Sequence, residues 1–212
     1  MARIVDTTGL TVAVTGPTGT FGRALMPLLQ ADDRVERVIG IARRPFDPAE
    51  HGWTKLEYRR GDVRDAQALR TSLDEADVVV HLAFLIVSGR RETTQAINVT
   101  GTLNTFRAAV EAGSARFVYA SSLAAYGFHR DNPIGLTENW PTRPAHRLFY
   151  AQEKAQLEHL LQRESAAHPQ PELYLLRPPI VLGPDAVGAK LSLPRAVAPL
   201  VRGAGSAARR LA

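Results

Sequence analysis

A tyrosine and a lysine four positions apart are the side chains of this sequence with the clearest chemical potential. Tyr150 and Lys154 begin and end the run YAQEK, and this spacing places both on one face of a helix. A nearby ammonium stabilises a phenolate and lowers the tyrosine pKa from its usual value of about 10. With a serine hydroxyl nearby, from Ser121 or Ser122, to hold a substrate oxygen, the set can transfer a proton while a nicotinamide transfers a hydride. The same spacing occurs by chance on many helices, so the rest of the sequence must show whether this pair has a chemical role.

A glycine-rich turn near the amino terminus supplies that context. An apolar run over residues 10–14 leads into Gly16, Gly19 and Gly22, and a second apolar-rich stretch follows. This order predicts a strand, a turn and a helix, whose N-terminus and close-approaching backbone suit a pyrophosphate. The spacing differs from the commoner G-x-G-x-x-G, and glycines after a strand can also form an ordinary turn. Pro27 predicts that the helix bends or is short.

The end of the second predicted strand, over residues 34–44, bears on the choice of cofactor. In a dinucleotide fold an acidic residue about 20 positions after the glycines binds the ribose 2′-hydroxyl, whereas an arginine accommodates a 2′-phosphate. The sequence has Ala42, Arg43 and Arg44 here and no acid. We therefore favour NADP over NAD. Arg43 could instead be a solvated charge at a strand end, or it could stack on the adenine of NAD.

The remaining elements alternate between strands and helices. Apolar runs and helical periodicity predict strands at 55–60, 76–82, 115–121 and 171–177 and helices at 65–73, 92–113 and 150–167. This alternation predicts an α/β fold with a doubly wound parallel sheet of the Rossmann type and helices on both faces. His81 closes a buried strand, and we interpret it as a structural histidine rather than as an acid or base.

Eight short motifs follow one another in an order that resembles one enzyme family. They are TGPTGTFG at 15–22, GDV at 61–63, HLA at 81–83, NVTGT at 98–102, SSLAAYG at 121–127, TENWPTRP at 137–144, YAQEK at 150–154 and LRPPIVLGP at 176–184. The set resembles the extended short-chain dehydrogenase/reductase family, in its group of NAD(P)-dependent sugar epimerases and dehydratases, over about residues 10–184. One such motif has little specificity, whereas their shared order has much more.

The resemblance implies roles for individual residues. Tyr150 would be the general acid and base, Lys154 would bind the nicotinamide ribose and lower the tyrosine pKa, and Ser122 would position the substrate. Asp62 and Val63 would meet the adenine, Leu82 and Ala83 would line the cofactor, and Pro179 would lie near the nicotinamide. The full predicted cofactor set is Gly16, Gly19, Thr20, Phe21, Gly22, Arg43, Asp62, Val63, Leu82, Ala83, Asn98, Tyr150, Lys154 and Pro179, and Arg43 departs from the acidic residue of the NAD-using epimerases.

The implied function is hydride transfer on a small-molecule alcohol or carbonyl compound, such as a nucleotide sugar. The stretch 128–149 would lie beside that substrate and offers His129, Asn132 and Arg143 as contacts. Epimerisation, dehydration and simple reduction stay open. The alternative is a non-catalytic NAD(P)-binding sensor or scaffold protein, since members of this fold exist that have lost the tyrosine or the lysine.

The composition of the chain limits the kinds of ligand and partner that we expect it to bind. The chain has 212 residues, a net charge of +5 and no cysteine, which excludes disulfides, thiolate catalysis and cysteine metal sites; we predict no metal site. The basic residues occur in scattered pairs, so we favour anionic small molecules over nucleic acid. The amino terminus has no signal-peptide apolar core, and no apolar run approaches the roughly 20 residues that span a bilayer. We expect a cytoplasmic protein that binds no membrane.

The sequence changes character after Gly183-Pro184. We predict a dinucleotide-binding domain over residues 1–184 and the start of a substrate-binding region, or a tail, over 185–212. Members of the family continue for about another hundred residues, so the chain is a fragment, the product of a truncated gene or a short member. Its apolar tail residues could drive association, and we expect a homodimer.

Overall fold

The strands of the computed structural model form one parallel six-stranded sheet, and the structure describes residues 8–86 and 91–181. The strands are β1 (Leu10–Thr15), β2 (Val35–Ala42), β3 (Leu56–Arg60), β4 (Val78–His81), β5 (Arg116–Ala120) and β6 (Glu172–Leu176). Their spatial order is β3-β2-β1-β4-β5-β6, and all neighbours are parallel. This order confirms the predicted Rossmann-type fold. The order reverses between β1 and β4, and ligands of such sheets bind in the crevice beyond the carboxyl ends there.

The helices connect these strands and follow the predicted sequence with two differences. They are α1 (Thr20–Ala31), α2 (Ala66–Leu73), α3 (Arg91–Gln95), α4 (Gly101–Glu111) and α5 (Phe149–Ala166). The single helix predicted over 92–113 contains a π-helical turn, Ala96–Thr100, between α3 and α4. Helix α1 continues past Pro27 instead of ending early, because the proline is on the exposed side, where water can reach the carbonyl that its ring leaves unbonded.

Both faces of the sheet are covered by helices, as predicted. On one face, Met26 of α1 packs in a cluster with Val12, Val38 and Leu56. On the other, Phe106 and Leu157 from α4 and α5 belong to a larger cluster with side chains of α2 and the strands. Helix α2 begins where the sequence predicts it, since Asp65 Oδ1 accepts a hydrogen bond from the Ala68 N–H at 3.0 Å.

The chain divides into two compact units at 179/180. The first contains the whole sheet, and the structure describes only Ile180 and Val181 of the second. The predicted boundary at 184 and the predicted tail at 185–212 lie outside the described residues. Among the described helices none is long and apolar enough to cross a membrane.

Candidate active site

The glycine turn after β1 is built so tightly that two of its positions accept only glycine. Gly16 has a φ of 75°, and a Cβ on it would lie 3.0 Å from the backbone nitrogen of Ala83. A Cβ on Gly22 would lie 2.4 Å from the carbonyl oxygens of Gly16 and Pro17. The turn therefore packs directly against the segment that follows β4. Gly19 is the N-cap of α1, so no N-cap side chain competes with an anion at this helix end.

Replacing Gly22 by alanine should destabilise the fold as well as the turn. The new Cβ would meet two backbone oxygens that cannot move without opening the turn, and overpacking of this kind costs about 1–3 kcal/mol. Gly19→Ala is the matched control, because its Cβ would make an ordinary 3.4 Å contact with the Gly16 carbonyl oxygen. Urea denaturation measures both variants. Equal unfolding free energies for the two would contradict this account of the turn.

Tyr150 and Lys154 project from the first turns of α5 at the carboxyl edge of the sheet. Lys154 is buried, and its Nζ donates to the Ala120 carbonyl at 2.6 Å and contacts the Tyr119 hydroxyl at 3.2 Å. The same Nζ lies 5.9 Å from the centre of the Tyr150 ring. Burial lowers the pKa of Lys154 to about 7, although the nearby carboxylates of Glu153 and Glu158 oppose this shift.

An aromatic side chain that no sequence motif singles out lies against both members of this pair. The ring centre of Phe84 is 3.5 Å from Lys154 Nζ. The same ring meets the Tyr150 ring edge to face, with centres 5.7 Å apart. Phe84 comes three residues after the end of β4, directly after the predicted cofactor residues Leu82 and Ala83.

The two serines after β5 have different surroundings. Ser121 is buried, and its hydroxyl bonds the carboxylate of Glu158. Ser122 is half-buried, and its Oγ accepts a hydrogen bond from the Ala124 N–H at 3.2 Å. An accepted bond leaves the hydroxyl proton of Ser122 available for another oxygen. Ser122 is therefore the serine whose chemistry suits a substrate contact.

Behind the serines, a buried ion pair joins α5 to the end of β6. Arg177 Nη2 lies 2.6 Å from Glu158 Oε2, and the two side chains are 12% and 1% exposed. Arg177 Nη1 also lies 2.5 Å from the hydroxyl of Tyr126, whose proton goes to the Thr137 carbonyl. This network fixes the turn that follows Ser122. Its residues belong to the predicted motifs or to α5, but the sequence assigns none of them a function.

A second buried network lies beneath the segment after β4. The amide of Asn98 exchanges hydrogen bonds of 2.8 and 2.9 Å with the backbone of Leu85 and donates to Glu153 at 2.9 Å. Asn98 is fully buried. The structure therefore places this predicted cofactor residue in the wall of the site, where it fixes Leu85, rather than at the open surface.

The predicted adenine end of the site lies beyond β2 and β3. Asp62 is paired with Arg64 at 2.7 Å, and this hydrogen bond lowers the pKa of Asp62. Arg43 is exposed, and its carbonyl accepts from Arg60 Nε at 3.1 Å. Val63 is buried against Gly101, where a Cβ would come within 2.4 Å of the valine side chain.

Comparison with known proteins assigns the chain to a family. Residues 12–208 match the family described as the NAD dependent epimerase/dehydratase family. The chain belongs to this family. Membership means that the cofactor class is the NAD(P) dinucleotides, and it confirms the resemblance drawn from the motifs.

This epimerase/dehydratase family member is similar to the following two relatives and one solved structure. It is 34% identical over 138 residues to sterol demethylase protein B of Methylococcus capsulatus, covering 64% of this chain and 40% of the relative. It is 31% identical over 159 residues to the 3 beta-hydroxysteroid dehydrogenase/Delta 5-->4-isomerase of vaccinia virus (strain Copenhagen), covering 71% and 45%. A crystal structure of a short-chain dehydrogenase/reductase superfamily protein from Agrobacterium tumefaciens with bound NAD has a TM-score of 0.65 and 31% identity, covering 79% and 48%. The chain thus spans less than half the length of each.

The other predicted contacts of this family member have varied surroundings. Thr20 is half-buried, Phe21 is 42% exposed and Pro179 is exposed. The three predicted substrate contacts bond to one another: His129 Nε2 lies 2.6 Å from the Arg143 carbonyl, and Arg143 Nη2 donates to Asn132 Oδ1 at 2.7 Å. These bonds shape the loop between Ser122 and Tyr150.

His81 is the structural histidine that the sequence suggests. Its Nδ1 lies 2.8 Å from Thr15 Oγ1 and its Nε2 2.9 Å from Thr102 Oγ1. Because Thr102 donates its proton to the Asn98 carbonyl at 2.5 Å, it must accept from Nε2, and Nδ1 accepts from Thr15. The ring is therefore held neutral between two hydroxyls.

This histidine should make the fold sensitive to acid. Burial lowers the pKa of His81 to about 3 from its usual 6.5, so the unfolded state binds more protons between these values. Stability from this group is present above pH 6.5 and is lost as the pH falls toward 3, by up to about 1.4 kcal/mol per pH unit. Urea denaturation between about pH 4 and 6 should show a weaker pH dependence for His81→Gln than for the wild type. Identical slopes would contradict the assignment.

Proposed function

We propose that this chain forms the cofactor-binding and proton-transfer part of an NAD(P)-dependent oxidoreductase or epimerase. Its substrate would be an alcohol or carbonyl compound, with a nucleotide sugar as the leading class. The observation that carries the proposal is the position of Tyr150 and Lys154 on α5, where Lys154 bonds the Ala120 carbonyl two residues before Ser122, at the same sheet edge as the glycine turn. The cytoplasmic location and the homodimer are further expectations of this proposal.

The residues present fit a dinucleotide. The glycine turn has no room for a Cβ at Gly16 or Gly22, and it places backbone N–H groups of α1 at the crevice between β1 and β4. The segment after β4 packs on that turn through Ala83. The proposed cofactor contacts are thus Gly16, Gly19, Thr20, Phe21, Gly22, Arg43, Asp62, Val63, Leu82, Ala83, Tyr150, Lys154 and Pro179, with Asn98 supporting them from behind. When bound, the nicotinamide supplies or accepts the hydride.

Tyr150 is the residue that would exchange a proton with the substrate oxygen. Two tyrosines lie near Lys154, but Tyr119 is 1% exposed and burial raises its pKa well above the ordinary value, so it stays protonated and out of a substrate's reach. Tyr150 is half-buried and accessible. Its hydroxyl donates a proton to the substrate oxygen during reduction and accepts one during oxidation, while the Ser122 hydroxyl hydrogen-bonds that oxygen and the Lys154 cation stabilises the phenolate.

We further propose that NADP is preferred over NAD. The end of β2 carries Arg43 and Arg44, both exposed, and the first acid after β3, Asp62, is already paired with Arg64. An exposed guanidinium at this position suits a phosphate, for which arginine provides charge-assisted hydrogen bonds.

Replacing Arg43 by aspartate should therefore weaken NADPH binding much more than NADH binding. Loss of one charged hydrogen bond costs about 1.5–3 kcal/mol, which corresponds to roughly a 10- to 100-fold rise in the NADPH dissociation constant. Arg116→Asp is the control for the change in net charge, because Arg116 lies at the amino end of β5, on the edge of the sheet away from the proposed site. Calorimetric titration of both cofactors measures the effect, and an equal loss for NADH would contradict the assignment.

A second substrate class is supported by the names of two relatives. The sterol demethylase protein and the hydroxysteroid dehydrogenase described above suggest a sterol alcohol in place of a nucleotide sugar. The test is to supply the chain with NADP⁺ or NADPH and either a 3β-hydroxysteroid or a uridine diphosphate sugar. Reduced nicotinamide is followed by absorbance and epimerised sugar by NMR. Turnover with one class that is lost in Tyr150→Phe supports the proposal. If the chain binds a cofactor and turns over neither class, the proposed substrates are wrong.

A further inference from the structure

Phe84 packs at the margin of the larger hydrophobic cluster and also lies over the two chemical side chains of the site. The segment that contains it leaves β4 at His81 and packs Ala83 against the glycine turn. The Phe84 ring then covers Lys154 Nζ at 3.5 Å and contacts the Tyr150 ring. A cation centred over an aromatic ring at this distance is attracted by the ring's quadrupole, and the attraction grows when water is excluded.

The groups that enclose Lys154 Nζ belong to different parts of the fold. It is 3% exposed, so a ligand hydroxyl can bond Nζ only if a covering group moves. The Ala120 carbonyl belongs to β5, and Tyr119 is 1% exposed and stacked on His81. Phe84 is half-buried, its ring packs at the margin of the larger hydrophobic cluster, and it lies in a segment without regular secondary structure. Of these neighbours, Phe84 is the one that can swing away without disturbing the sheet.

We propose that Phe84 is a displaceable aromatic gate over Lys154, and that a dinucleotide must push its ring aside for the nicotinamide ribose to bond Nζ. This inference rests on the proposed function and makes Phe84 a positioning residue of the cofactor site. The gate lowers cofactor affinity by the cation–π attraction that must be broken. It also shields the buried ammonium from water and from other reagents.

Removal of the ring should have two separate effects. Phe84→Ala should tighten dinucleotide binding by about 5- to 30-fold, which is the attraction expressed as an affinity ratio. It should also speed acetylation of Lys154 by acetic anhydride at about pH 7, where this lysine is present both as the ammonium and as the free amine, by roughly tenfold relative to Lys55 in the same molecule. Mass spectrometry of peptides measures the second effect, which needs no cofactor.

Two other variants make the test specific. Ile86→Ala alters an exposed apolar side chain two residues further along the same segment and should change neither quantity. Phe84→Leu keeps most of the apolar volume but removes the aromatic face, so both quantities should rise by smaller factors. Circular dichroism melting verifies the fold of each variant, and Phe84→Leu replaces Phe84→Ala if the latter unfolds.

The outcomes separate the gate from the proposed function. Tighter binding together with faster acetylation supports the gate. The gate is overturned if the Phe84 variants bind the cofactor no more tightly than the wild type does, or if Lys154 is acetylated at the same rate in both. If neither the wild type nor the variants bind NADPH or NADH, the proposed cofactor function fails and the gate fails with it, even where acetylation of Lys154 becomes faster.

Discussion

Replacing Tyr150 by phenylalanine is expected to abolish turnover and to leave cofactor binding nearly intact. The substitution removes one hydroxyl and keeps the ring that packs edge to face on Phe84. General acid and base catalysis typically contributes 10²- to 10⁴-fold, so the turnover number should fall by about that factor. The loss should appear in the chemical step, because the hydroxyl acts on the substrate oxygen.

Steady-state kinetics with a turned-over substrate and calorimetric titration of the cofactor measure the two quantities separately. Tyr174→Phe is the matched control, since Tyr174 is a partly exposed residue of β6 whose hydroxyl bonds Glu172. That variant should behave as wild type in both measurements. Full activity in Tyr150→Phe would show that the proton passes through another group.

The second large effect concerns stability and the ion pair between Glu158 and Arg177. Arg177→Met would leave a carboxylate that is 1% exposed without its cation. Breaking a buried pair in this way costs about 3–5 kcal/mol, because the remaining charge is neither solvated nor paired. The turn after Ser122 should loosen as well, since Arg177 also bonds Tyr126.

Urea denaturation of three variants decides this prediction. Arg107→Met is the matched control, because Arg107 pairs with Glu164 of the same helix α5 at 2.6 Å but is 54% exposed, and exposed pairs contribute about 0–1 kcal/mol. The double variant Glu158→Leu with Arg177→Met should recover most of the loss, since no unpaired charge remains. Equal losses for Arg177→Met and Arg107→Met would contradict the importance of burial.

Local sequence patterns were sufficient for the fold. The strand predicted at 76–82 is observed as Val78–His81, and the helix predicted from Tyr150 begins at Phe149. Apolar runs, glycines and the capping Asp65 are local signals, and alternation of strands and helices implies the parallel sheet. The π-helical turn was not predictable, because Ala96–Thr100 has an ordinary helical pattern and its irregularity depends on tertiary packing.

The site was predicted less completely, and the reason is distance along the chain. Tyr150 and Lys154 are neighbours on one helix, so their spacing revealed them. Phe84 contacts Lys154, which is 70 positions later in the sequence. Glu158 on α5 pairs with Arg177, which follows β6. Asn98 was assigned to the cofactor through its motif, yet its burial and its bonds to Leu85 are visible only in three dimensions. Residue type and order therefore identified the chemistry, whereas the supporting contacts required the fold.

Calorimetric titration of the 212-residue chain with NADPH and NADH would show whether it binds a nicotinamide dinucleotide at the turn after β1. We expect micromolar binding of NADPH and weaker binding of NADH. Binding of both cofactors with equal affinity would contradict only the assignment of Arg43 to the 2′-phosphate. Binding of neither would contradict the site itself.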